Sequence, residues 1–400
     1  MKLKVLSTVG LALSLGLTSL GSGGTAFAEK PDDSYFYQIK NKQYNDKAMF
    51  ASSIMMPLMI NTPTFLVPDS QVQKYIFYAL DNGYYAIANK DTGNVLTNAE
   101  NNGWDKTDGA RPYLQMGWSN TNDISRKTFR LENEYNGSFV LRNQFDGTIV
   151  NGHAKGIVLQ RDFANILYNY WEPTNKEHIN GNMPQLLPNQ SLPDVPKYTG
   201  YGQNLPDQTV PVVTGSTIMP AIMVTDSNWS DATKIQNSPY YRLVKKQYWK
   251  RLYSRNFTPG SSETVTTKTG MSRVDVDSMV DKTGIEIKAD LGASFGGEKA
   301  SKKGTASLEA KFTKELTITR STTTTDINET TVEQVVKNPS DTKDFAWAKY
   351  ALATEYSLER MDGSKVSSPW TVIDGTSTRE TSWPSGQQPT VQSTKTISVN

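Results

Sequence analysis

Ile285-Glu286-Ile287-Lys288-Ala289-Asp290-Leu291-Gly292-Ala293-Ser294-Phe295 alternates without a break: Ile285, Ile287, Ala289, Leu291, Ala293 and Phe295 take the odd positions, and charged or small residues take the even ones. Period two over eleven residues specifies an extended strand with one apolar face. A Gly- and Lys-rich turn from Gly296 to Gly304 follows, and a second run then sets Leu308, Ala310, Phe312, Leu316 and Ile318 on one face against Glu309, Lys311, Thr313, Glu315 and Thr317 on the other. The expectation is a hairpin over residues 285–318 whose arms match the ~9–11 residues of a tilted membrane-spanning strand, one face for lipid and one for water. A soluble hairpin resting one face on a core carries the same pattern. Lys314 falls in the apolar phase, and a lysine at mid-bilayer costs ~2–4 kcal/mol, so the membrane reading needs it near the headgroups or the strand phase shifted. One hairpin cannot close a barrel, so spanning demands several copies of the chain.

Upstream, residues 29–178 read as short strands punctuated by Asp81-Asn82-Gly83, Asp91-Thr92-Gly93, Asn136-Gly137 and Asp146-Gly147, an all-β rhythm. Thr92-Gly93-Asn94-Val95-Leu96-Thr97-Asn98 is echoed by Asp146-Gly147-Thr148-Ile149-Val150-Asn151-Gly152. Each copy closes on an aromatic, Phe129 and then Trp171, and Phe77 would close an earlier, more degenerate copy. Three units of this kind suit a β-trefoil, whose threefold core takes one large aromatic from each. An ordinary β-sandwich with chance similarity is the alternative. Residues 179–212 hold Pro184, Pro188, Pro193, Pro196, Pro206 and Pro211 among Asn and Gln, the composition of an extended connector. Residues 213–400 form the second unit, with Ser- and Thr-rich runs that favour strands.

Residues 1–28 read as a signal peptide: Lys2 and Lys4, an apolar stretch from Val5 to Leu20, then Ala26-Phe27-Ala28 before the cleavage point. The apolar run is shorter than the ~20 residues of a spanning helix. Export is the expectation. Across the 400 residues, 42 Lys and Arg face 40 Asp and Glu without blocks, so there is no basic face for nucleic acid. Cysteine is absent, which excludes disulfides and thiolate chemistry, and only His153 and His178 remain, neither inside a catalytic or zinc motif. The chain is expected to need no metal or cofactor and not to be an enzyme.

Met219-Pro220-Ala221-Ile222-Met223-Val224-Thr225-Asp226, Thr233-Lys234-Ile235, Pro239-Tyr240-Tyr241-Arg242-Leu243 and Gln247-Tyr248-Trp249 together resemble the bacterial insecticidal toxins related to the mosquitocidal binary (Bin) toxins. That resemblance implies an all-β chain, a lectin-like trefoil head on an aerolysin-like pore-forming tail. It implies a glycan or glycosylated receptor on the target-cell membrane as partner, a homo-oligomer in the pore state, and, in some relatives, a second toxin component. The residues expected to enter the membrane are the apolar ones of the 285–318 hairpin. For sugar, a trefoil head offers an aromatic platform with Asn or Asp acceptors on its loops, here Trp118 with Asn122 and Asp162 with Asn165. Turn residues satisfying their own backbone explain these positions equally well. A secreted lectin without a pore, or a trefoil-bearing hydrolase, is the competing reading. Beyond Thr376 the sequence is rich in Ser, Thr and Gln, and Arg379 and Lys395 mark it as a low-burial tail open to trypsin-like cleavage.

Overall fold

The computed structural model describes residues 30–44, 47–51, 61–68, 73–80, 83–98, 114–117, 124–135, 137–153, 156–160, 166–288, 292–295, 306–316 and 329–398. Twelve strands occupy the N-terminal part: β1 (Tyr35–Asn41), β2 (Lys47–Ala51), β3 (Asn61–Pro68), β4 (Tyr75–Ala79), β5 (Tyr84–Asn89), β6 (Val95–Asn98), β7 (Leu114–Gly117), β8 (Thr128–Tyr135), β9 (Ser138–Asn143), β10 (Ile149–His153), β11 (Gly156–Gln160) and β12 (Tyr170–His178). Six of them close a ring, because β1 pairs β4, β4 pairs β5, β5 pairs β8, β8 pairs β9, β9 pairs β12 and β12 returns to β1. The other six form three hairpins, β2–β3, β6–β7 and β10–β11. Closure leaves this barrel-like sheet no open edge within the ring. Phe77, Phe129 and Trp171 lie on β4, β8 and β12, each about fully buried, and share one core with Ile39, Ile87 and Leu141.

A second sheet runs β13 (Val212–Pro220), β14 (Tyr240–Phe257), β19 (Phe345–Arg360) and β20 (Trp370–Trp383). The third joins β15 (Ser262–Thr269), β18 (Thr330–Lys337) and β21 (Thr390–Ser398). The fourth is the short pair β16 (Ile285–Lys288) and β17 (Gly292–Phe295). Four α-helices, α1 (Ile166–Asn169), α2 (Asp231–Asn237), α3 (Arg273–Thr283) and α4 (Ala306–Glu315), and two 3-10 turns, Ile124–Lys127 and Ala221–Met223, complete the described elements. The chain is thus all-β in class, with the described α-helices confined to the junction between the ring and the second sheet and to one turn before β12.

The Pro-rich stretch is extended and docked. Trp249 Nε1 donates to Pro193 O, the Tyr350 hydroxyl to Pro206 O, and Arg251 NH to Asp207 O, while Tyr198 and Leu205 share a buried cluster with Trp249, Ala348 and Tyr350. Each proline lacks a donor, so the strap makes isolated backbone bonds to the sheet, among them Gln190 NH to Val213 O and Thr209 NH to Trp249 O, rather than a regular ladder. The tail departs from its low-burial reading in its first part only. Thr376 to Trp383 complete β20, where Arg379 stands opposite Tyr350, and β21 lies fully exposed along the edge of β18.

Candidate functional site

β15 and β18 are direct neighbours, with Thr269 opposite Thr330, although residues 270–329 separate them in sequence. That excursion carries α3, the β16–β17 pair and α4. Ser272 caps α3 by accepting from Asp275 NH at 3.2 Å, and Trp370 Nε1 donates to Ser278 Oγ at 3.2 Å, which pins the helix to β20.

The expected eleven-residue first arm is instead folded in half. Ile285 stands opposite Phe295 and Lys288 opposite Gly292. A fold centred on Asp290 pairs odd residues with odd ones, so the alternation that specifies one long strand fits two short ones equally well. The second arm is not a strand: residues 306–315 form α4. Leu308, Phe312 and Leu316 are buried at a spacing of four, while Ala310 and Lys314 are exposed. Positions i, i+4 and i+8 share a face in a strand and nearly so in a helix, and the intervening Ala310 and Lys314 are what distinguish the two. Ile285 is buried in the same core, whereas Ala289, Leu291 and Ile318 lie outside the described residues, as do the side chains of Ile287, Ala293 and Phe295.

α4 lies tightly on β13. A Cβ on Gly215 would come within 2.5 Å of Leu316 O, so only glycine admits the helix end there. Two residues along, the Thr217 hydroxyl donates to Glu315 Oε2. Leu308, Phe312 and Leu316 meet Tyr241, Leu243, Tyr356 and Leu358 of the sheet in one core that also takes Phe36, Ile76 and Tyr78 of the ring. Lys311 of α4 and Asp33, just before β1, attract each other. Burial and the neighbouring Asp32 nevertheless leave the Asp33 carboxyl above its ordinary range. The helix is therefore clamped between ring and sheet.

The junction itself is held by the residues that carry the family resemblance. Arg360 Nε and Nη2 donate to Asp226 Oδ2 and Oδ1 at 2.7 and 2.9 Å, and the Tyr241 hydroxyl adds a third bond at 3.1 Å. Burial alone would raise the Asp226 carboxyl, but these donors hold it below its usual range. Lys234 of α2 pairs with Asp231 at 2.6 Å and donates to Val224 O at 2.6 Å, both side chains being buried. Tyr240 packs edge-on against Tyr78 at 5.3 Å, and its hydroxyl donates to Asp33 O. These side chains are committed to structure.

In the ring, Trp118, Asn122, Asp162 and Asn165 all lie outside the described residues; in sequence they follow β7 and β11, the third strands of successive four-strand units. A threefold feature that the sequence reading missed is Asn41, Asn89 and Asn143, each buried at the end of β1, β5 and β9. Asn41 Nδ2 donates to Tyr168 O, Asn89 Nδ2 to Gln73 Oε1 and Asn143 Nδ2 to Arg126 O, so each ties its strand to the segment leading into β12, β4 or β8. The signal was present as an apolar residue two before each asparagine: Ile39-x-Asn41, Ile87-x-Asn89 and Leu141-x-Asn143. His178 packs edge-on against Tyr35, and among the described residues no three His, Asp or Glu side chains gather as a metal site.

Comparison with known proteins agrees with this architecture. Residues 212–385 match the family described as Insecticidal Crystal Toxin, P42. The binary larvicide subunit BinA of Lysinibacillus sphaericus is 29% identical over 330 residues, covering 81% of this chain and 85% of that protein. Subunit BinB of the same organism is 26% identical over 369 residues, covering 85% and 77%. The crystal structure of Cry35Ab1 superposes with a TM-score of 0.70 at 21% identity, over 88% of this chain and 91% of that one, and so shares the fold. The resemblance carried by residues 218–251 is borne out: the chain is related to the Bin-like insecticidal toxins.

Proposed function

We propose that the chain is a secreted insecticidal toxin component. In this reading the six-strand ring with its three hairpins is a β-trefoil that engages a glycan or glycosylated receptor. Several copies then assemble on the target membrane, and segment 285–318 leaves the junction to span it as a β-hairpin within a common barrel. A second toxin component fits the relatives' description as subunits of a binary larvicide.

One observation carries the reading. Continuing the β15–β18 register beyond Thr269 and Thr330 brings Ile287 opposite Phe312, Ala289 opposite Ala310, Leu291 opposite Leu308 and Ala293 opposite Ala306. Residues directly opposite share a face, so both apolar sets fall on the same side. The continued register turns between Lys299 and Ala300, the middle of the Gly- and Lys-rich tip. Lys314 then stands opposite Ile285, just beyond the Ile287–Phe312 pair, with Leu316 and Ile318 following on the same face, and its cost is small where this end of the arm lies near the headgroups. In the folded state Ile285, Leu308, Phe312 and Leu316 are kept from lipid by burial in the core shared by ring and sheet.

The chain lacks cysteine, so an engineered pair is the sole thiol pair in the protein. Cysteines at Thr217 and Glu315, joined as a disulfide or through a short cleavable linker, should hold α4 on β13. The locked protein is expected to bind target-lipid vesicles without releasing dye, and reductant should restore release. Full release from the locked form rejects the reading.

A further inference from the structure

We infer that β21 fills, on the outer edge of β18, the place taken by β15 of a second copy of the chain when copies assemble. The inference rests on the assembly reading above and names the contact between copies. β15 and β21 flank β18 as equivalents. Ser262 and Thr390 both stand opposite Lys337, and Thr269 and Ser398 both stand opposite Thr330, so the two strands run in one direction over the same stretch of β18. They also read alike. Val265-Thr266-Thr267-Lys268-Thr269 is matched by Val391-Gln392-Ser393-Thr394-Lys395-Thr396, and the extra residue of β21 falls at its register shift opposite Glu333 and Gln334.

Their anchoring differs. Val265 of β15 is buried with Val336 against Phe257, Phe345 and Trp347, whereas every residue of β21 is exposed, Val391 and Ile397 by 43% and 44%. β21 is held by its backbone ladder to β18 and by bonds such as that from the Thr394 hydroxyl to Glu333 O at 3.0 Å. An incoming β15 restores the ladder, so the exchange leaves no edge of β18 unpaired and opens no core. Residues 384–389 join β21 to β20, and Gly386 among them, at φ +83° with open space around it, lets the strand swing clear. Strand direction selects the partner. With β21 in place the sheet ends in two strands of the same direction, and a neighbour's β15 added beside β21 would make a parallel seam. With the neighbour's β15 on β18 itself, β15 and β18 alternate antiparallel from copy to copy, and such a head-to-tail row can close on itself.

The test is a disulfide between Val335→Cys and Gln392→Cys, which stand directly opposite at the roughly 4.5–5.5 Å Cα spacing that a disulfide spans. On target-lipid vesicles the unaltered full chain should be recovered in mild detergent as oligomers. The oxidised double variant should bind the vesicles yet be recovered as monomer, and reductant should restore the oligomers. Successive donors of an edge strand alternate between partner and solvent, so Val391→Pro together with Gln392→Pro removes one that faces β18. That variant should oligomerise at a lower protein concentration than the unaltered chain, and it carries the test where the disulfide does not form. Oligomers from the oxidised form equal to those of the unaltered chain, or no shift in the proline variant, overturn the inference while the pore reading, tested at α4, stands. Absence of oligomers from the unaltered chain overturns both.

Discussion

Lys245 stands on β14 opposite Gly215 of β13 and Tyr356 of β19, on the sheet face where α4 ends. Its side chain is buried, and burial lowers its pKa to about 8 from an ordinary 10.5. Between those values the unfolded chain holds the proton more tightly than the folded one, so stability rises with pH across that window, by at most about 3 kcal/mol. Below pH 8 both states are charged and the folded state bears the cost of desolvation. The urea midpoint of the unaltered protein should therefore increase from pH 7.5 to 9.5, and Lys245→Met should flatten that increase while raising the midpoint at pH 7.5. Equal pH slopes in the two proteins reject this account. Burial of Lys245 was not legible in sequence, where Val244-Lys245-Lys246-Gln247 reads as a solvated stretch. It follows from a long central strand whose face is covered from outside it.

The helix α4 explains where sequence reading succeeded and where it did not. Of the apolar residues read as one set over 285–318, Ile285, Leu308, Phe312 and Leu316 share a core, Ala310 is exposed, and the other side chains lie outside the described residues. The conformation was not legible, since the spacing of Leu308, Phe312 and Leu316 satisfies both periods and the covering surfaces, Gly215 and the ring, are distant in sequence. Helix packing makes a prediction that a strand does not. Phe312→Ala should cost about 3–5 kcal/mol through the cavity it leaves, whereas Ala310→Ser, on the exposed side, should stay within about 0.5 kcal/mol. Thermal unfolding of both variants distinguishes the two, and a large loss from Ala310→Ser would reject the packing described. The threefold rhythm of residues 29–178 was more legible, because Phe77, Phe129 and Trp171 recur within the chain itself. Among the described residues, no residue read as a sugar contact tests that expectation.

At the scale of the whole molecule, ring and sheet share a core rather than hanging on a linker. Gly93 brings the β5–β6 turn onto α2 at φ +74°: a Cβ there would overlap the backbone of Asp231 and lie 2.5 Å from Ala232 N. Gln236 Nε2 donates to Lys90 O beside it at 3.2 Å. Gly93→Val should therefore separate the two units without unfolding either. The expected readout is faster proteolysis of the junction and strap, with the ring remaining as a resistant fragment; an unchanged digestion pattern would show that the contact is dispensable. The sequence marked residues 179–212 as a boundary from composition, but the docking of that stretch depends on Trp249, Tyr350 and Arg251, whose partners no local pattern reveals.

That strap also stores length. Residues 180–211 run out along the sheet and double back into β13: Leu187 NH donates to Ser216 Oγ, Gly202 NH to Asn256 Oδ1 and Thr209 NH to Trp249 O. Fully extended, a segment of this size reaches roughly 100 Å. Peeled from Trp249 and Tyr350 once the shared core opens, it would leave ring and sheet joined by a long tether with no covalent bond broken.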